Sequence, residues 1–394
     1  MTKAQELQQL GQSIWYDNMR RALLESGEMQ ALIDQGICGV TSNPTIFDKA
    51  IAGSDDYDAA IAALLRQDKD DTEIYEALVF EDIRRTADLL RPVYDASNKV
   101  DGYVSLEVSP DKAHDSHGTV QEAKRFFAAL ERPNVMIKVP ATAAGVSALR
   151  ELIGVGINVN VTLMFSLAHY EAVAQAYIDG LEDYAASGGD VSTIASVASF
   201  FISRVDAAVD ARLEQLSTDS NYLATAGQPV SSQETAAIDT HGKPETFALR
   251  GQIAIANAKQ TYQRFQEIFS GSRWQALADK GARVQRPLWA STSTKNPDYP
   301  DTLYVDSLIA ANTVNTLPPA TLAALQDHAT VEATLEQNLA KAHEHFDTLA
   351  SVGIDFDAIA QDLQDKGITA FADSFRSLME SLASKREQLA LSQA

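Results

Sequence analysis

"INVNVTLMFSLAHYEAVAQAYIDGLEDYAASGG", residues 157–189, carries a strand and a helix in one run. Its first nine residues alternate, with Asn158, Asn160 and Thr162 on one face and Val159, Val161 and Leu163 on the other, the period of a strand. From Ser166 the period lengthens, and 166–189 predicts a helix ended by the pair Gly188 and Gly189. The same alternation recurs on both sides. Further strands are predicted at 13–18, 39–44, 103–108, 135–140, 194–201, 286–292 and 313–318, with helices filling the gaps. Eight strands with helical crossovers fit an α/β fold of the (β/α)8 TIM barrel type, although a doubly wound sheet has the same local signature. The polar stretch 217–245 reads as an insertion between helices. From Pro319 to residue 394 the pattern is helical only, and Phe371, Phe375, Leu378 and Leu382 share one face, as expected of a helix packed on the barrel. Residues 1–394 are therefore expected to form a single barrel domain with added C-terminal helices.

Composition narrows the function. There are 32 basic and 54 acidic residues, a net charge of −22, which argues against nucleic acid or an anionic membrane as the main partner. An anionic substrate would need a local cluster of positive groups. Cys38 is the only cysteine, so an internal disulfide and a cysteine-based metal site are excluded, and a reducing, cytoplasmic compartment is expected. No signal-peptide core and no apolar run long enough to span a membrane occurs.

One residue breaks the apolar pattern. In "NVMIKVPATAAG" (134–145), Val135, Ile137 and Val139 face one way, and Met136 and Lys138 the other. Burying an ammonium group costs several kcal/mol unless it is paired or gives up its proton. Lys138 is thus either a structural ion-pair partner of Glu107 or Asp17, or a desolvated amine that attacks carbonyl carbon. Other strands add polar groups: Ser105 and Glu107 in "YVSLEV", Asp17 at the end of the first strand, and Asn43 at the end of the second. Inward polar groups near strand C-termini are where a barrel carries its active site. His114 and His117, and His343 and His345, lack convincing ligand spacing, and no metal site is expected. Glycine-rich nucleotide-binding patterns are absent.

"WYDNMRR", "GVTSNPTIF", "SLEVSP", "IKVPAT", "NVNVTLMFS", "ASFFISRVD" and "TVNTLP" occur in this order. With "AIANAK" (254–259), they make the whole chain resemble the transaldolases of the class I aldolase superfamily, above all their longer bacterial form. The resemblance implies a barrel enzyme of the pentose phosphate pathway that needs no metal or cofactor. Such an enzyme moves a three-carbon dihydroxyacetone unit from a ketose phosphate to an aldose phosphate. It places the Schiff-base lysine at Lys138, the cleavage base at Asp17, the third-strand carboxylate at Glu107, and at Thr162 the hydroxyl that holds the catalytic water. Asn43 and Asn160 match the amides that bind donor hydroxyls, and Ser199 and Arg204 the groups that hold substrate. Shorter relatives carry an arginine soon after the seventh strand. This chain reads "WASTSTKNP" there, so Ser291 fits while the charge would come from Lys295, without arginine's bidentate fork. Two other readings stand beside this one: a lyase of the same superfamily releasing free dihydroxyacetone, and a non-catalytic barrel binding sugar phosphates.

Overall fold

Eight short strands carry the architecture: β1 (Gln12–Tyr16), β2 (Ile37–Thr41), β3 (Tyr103–Glu107), β4 (Val135–Pro140), β5 (Val159–Met164), β6 (Ser196–Phe201), β7 (Arg286–Ala290) and β8 (Thr313–Leu317). Each pairs in parallel with the next, and β1 closes on β8. The structure, a computed structural model, describes residues 1–218 and 248–393. Closure decides between the barrel and the doubly wound sheet, and among the described residues it leaves no strand edge exposed. Every strand residue is buried, because the inner face fills the barrel and the outer face meets the helices.

Boundaries differ slightly from expectation. β2 begins at Ile37, and β1 and β2 end before Asp17 and Asn43, which therefore stand just past their strands. The helix expected over 166–189 runs Leu167–Ala186, and the Ser166 hydroxyl accepts from the His169 amide at 3.2 Å. Thr142 caps Ala143–Gly154 in the same way, and Asn43 caps Pro44–Ala52. Gly145 lies in the first turn after β4, where a Cβ would meet the Pro140 carbonyl. Of the expected insertion at 217–245, Ser217 and Thr218 close the helix Ser203–Thr218, and the rest lies outside the described residues.

The N-terminal end of the barrel is plugged. Arg286 donates to Ser13 Oγ at 2.7 Å, the Val100 carbonyl at 2.7 Å and Asp101 at 2.9 Å. Asp101 also accepts from the Trp15 indole at 3.1 Å, and that ring occupies the space above Gly39. The opposite end, where strand C-termini meet the loops, is crossed by the helix Phe356–Gln393. Its Phe371, Leu378 and Leu382 are buried and Phe375 half-buried, as the sequence implied. Phe375 meets Tyr75 edge-on at 5.4 Å.

Candidate active site

Register builds the site. Glu107 on β3 is paired with Lys138 on β4, and Lys138 with Asn160 on β5, so the three side chains point the same way in one row. Lys138 and Glu107 are 5% and 8% exposed. The Lys138 ammonium donates to Glu107 Oε2 and to the Ser42 carbonyl, each at 3.2 Å. The buried lysine is thus ion-paired, which is how its charge is tolerated. Burial pushes the Glu107 carboxyl above its ordinary range, against the opposing pull of Lys138.

Asp17 stands on the neighbouring side. It accepts from Thr41 Oγ1 at 2.6 Å, and that hydroxyl lies 2.7 Å from Thr316 Oγ1. Burial raises the Asp17 carboxyl, while the Thr41 hydrogen bond and the charge of Lys138 pull it down. Asn160 is fixed at both ends, donating to Ser105 Oγ at 3.0 Å and accepting from Ser199 Oγ at 2.7 Å. Thr162 is fully buried, and its hydroxyl has no partner among the described residues. A buried hydroxyl of that kind suits a bound water. Asn43 is half-buried, and its Oδ1 accepts from the Ile46 amide at 3.0 Å, which leaves its NH2 group to bind elsewhere.

The positive groups gather at the rim. Arg204 begins the helix after β6, its guanidinium 5.1 Å above the Phe201 ring and held below its ordinary range by burial. The backbone of Ser203 donates to the Ser291 carbonyl, and their hydroxyls are 3.0 Å apart. Ser291 has φ +57°, a left-handed conformation unusual for serine. Lys295 is exposed and donates to Ser293 Oγ at 2.9 Å. Partial desolvation lowers its ammonium, and the like charge of Arg204 adds to the effect.

Sequence reasoning missed several participants. Thr41 orients Asp17, and Ser42 lends Lys138 its carbonyl, yet neither stands out from its neighbours in "GVTSNP". Phe371, read only as packing, lies 5.7 Å from the Lys138 ammonium. Lys259 is 9% exposed, and its ammonium donates to the Thr334 and Gln337 carbonyls at 2.8 and 2.5 Å. It therefore serves as a clamp between segments. His117 falls in the helix Ser116–Leu130, and both it and His114 are exposed. Among the described residues no three histidine, cysteine or acidic side chains gather as a metal set.

A closed parallel barrel with this row of residues at its C-terminal end narrows the comparison with known proteins. The family described as Transaldolase/Fructose-6-phosphate aldolase matches residues 14–382. The chain belongs to that family. It is 48% identical to "Transaldolase 2" of Nostoc sp., over 96% of each chain. It is 46% identical to "Transaldolase" of Trichodesmium erythraeum, over 98% of this chain and 97% of the relative. It is also 45% identical to "Transaldolase" of Thiobacillus denitrificans, over 96% and 99%.

Proposed function

We propose that the chain is a transaldolase that carries dihydroxyacetone from fructose 6-phosphate or sedoheptulose 7-phosphate to erythrose 4-phosphate or glyceraldehyde 3-phosphate, covalently bound to Lys138. The observation that carries the reading is the buried Lys138–Glu107 pair in register with Asn160, in a barrel of this family. Relatives named transaldolase over nearly their full length support transfer over simple cleavage.

The proposed chemistry draws on this geometry. Lys138 passes its proton to Glu107 and adds to the donor ketone, giving a carbinolamine. Glu107 returns a proton to the leaving hydroxyl through a water held by Thr162, and loss of water leaves a protonated imine. Asp17 takes the proton from the C4 hydroxyl, and the C3–C4 bonding electrons flow into the imine. An aldose phosphate departs, and a three-carbon enamine stays on Lys138. An acceptor aldehyde then reverses these steps. Asn43, Asn160 and Ser199 hold the donor hydroxyls, while Arg204, Ser291 and Lys295 face the phosphate. The protein supplies every proton movement, so the reading needs neither metal nor cofactor.

The reading treats residues 1–394 as one barrel unit working in the cytoplasm on sugar phosphates. Among the described residues no helix is long and apolar enough to cross a membrane. The test is to supply fructose 6-phosphate with and without erythrose 4-phosphate. Sedoheptulose 7-phosphate should form far faster than free dihydroxyacetone appears without acceptor. Comparable rates would make the enzyme a lyase. Borohydride added with donor should leave a three-carbon adduct on Lys138, and active enzyme without that adduct would sink the Schiff-base mechanism.

A further inference from the structure

The helix Phe356–Gln393 reaches the catalytic row through three residues spaced as one helical face: Gln364, Gly367 and Phe371. Gln364 is 4% exposed, and both of its amide hydrogens are used. They go to the carbonyls of Ala141 and Leu163, each at 3.0 Å. Ala141 directly follows β4, and its own amide donates to the Thr162 carbonyl at 2.7 Å. Leu163 follows Thr162 and has φ +63°, a conformation that a leucine adopts only when its surroundings impose it. The pairing of β5 with β6 shifts register at this point, between Val161 and Met164. One side chain therefore bridges the end of the lysine strand to a kink beside the unpartnered Thr162 hydroxyl.

Gly367 lets the helix sit that close. A Cβ there would lie 2.8 Å from Leu163 Cδ2 and 3.7 Å from the Arg204 guanidinium. Gln364 is thus seated on the kinked residue, and its two acceptor carbonyls belong to Leu163, next to Thr162 in the chain, and to Ala141, hydrogen-bonded to Thr162 from the neighbouring strand. We infer that Gln364 is a positioning residue: by holding the left-handed Leu163 it sets the direction of the Thr162 hydroxyl, and so the rate at which the carbinolamine loses water. The inference rests on the role proposed above for Thr162. Gln364 itself touches no substrate.

The test is a double-mutant cycle on imine formation, read by borohydride quench at a series of times and normalised to the Lys138 sites that can be trapped at saturation. Loss of folded protein then drops out of the rate. Gln364→Met keeps the length and removes both donors. It should slow imine formation about 10- to 100-fold with donor affinity unchanged, the size of effect that misplacing a catalytic group produces. Thr162→Val should be slow as well, and adding Gln364→Met to it should cost little more, because both act through one hydroxyl. Wild-type speed in Gln364→Met, or losses that multiply in the double variant, would overturn the inference and leave the transaldolase reading intact. Wild-type speed in Thr162→Val would instead remove the proposed role of Thr162, and that of Gln364 with it.

Discussion

The Lys138 ammonium and the Glu107 carboxylate stand 3.2 Å apart with almost no exposure to solvent, and register places them side by side on adjacent strands. A pair held this way balances charge at rest, and the proposed mechanism uses it as a route for one proton. Glu107→Gln keeps the shape and ends the transfer. Imine formation should slow about 10²–10⁴-fold, the usual contribution of a general acid–base group. Rapid-quench trapping measures it, and an unchanged rate would reduce Glu107 to a counter-charge.

The proposed mechanism assigns Asp17 to the next step. Asp17→Ala should still form the imine and then stall, so intact-protein mass after quench should show the whole six-carbon sugar phosphate. Wild type should show mainly the three-carbon adduct. Burial raises the Asp17 carboxyl, and the base must be ionised to act. Cleavage in wild type should accordingly weaken as pH falls through a value above the ordinary aspartate range. Accumulation of the three-carbon adduct by Asp17→Ala at the wild-type rate would exclude it as the cleavage base.

The rim charges should act on phosphate alone. A hydrogen bond to a charged group contributes about 1.5–3 kcal/mol, so Arg204→Ala should raise KM for fructose 6-phosphate roughly 10- to 150-fold. Lys295→Ala should cost less, since Lys295 is exposed and presents a single point charge. Neither change should alter whatever turnover is measured with unphosphorylated fructose. Equal losses on both sugars would move these residues out of phosphate binding.

Asp206 predicts a pH dependence of stability. It accepts from the Ala254 amide at 2.7 Å and the Tyr304 hydroxyl at 2.8 Å, holding the start of the helix Ile253–Ile268. Burial, helped by nearby Asp210, pushes its carboxyl from 3.8 to about 7. The folded state binds that proton more tightly than the unfolded chain. The contribution is therefore complete below the ordinary value and is lost as pH rises through about 7. Wild-type Tm should decline over that window, and Asp206→Asn should remove part of the decline. Parallel Tm profiles would mean that Asp206 is ionised throughout.

The strands were legible because their signal is local. Alternation and apolar runs, punctuated by glycine and proline, located all eight within a few residues. Asp17 and Asn43 were displaced past their strands because the hydrogen-bonded ladders stop at Tyr16 and Thr41, a matter of pairing and not of side-chain pattern. Lys138 was visible as a charge in an apolar strand. Its alignment with Glu107 and Asn160 was not, since register between strands is a long-range property. For the same reason the apolar face of the last helix could be read from its period while the surface it covers could not. Gln364 and Lys259 look like ordinary helical polar residues in the sequence, and only tertiary contacts give them carbonyls to hold.

The crossing of the barrel mouth by Phe356–Gln393 also has a consequence for biosynthesis. A ribosome completes all eight strands before it makes this helix, so a nascent chain can close its barrel while Gln364, Gly367 and Phe371 are still unmade or in transit. The contacts of Gln364 with the Ala141 and Leu163 carbonyls can therefore form only after all eight barrel strands have been made.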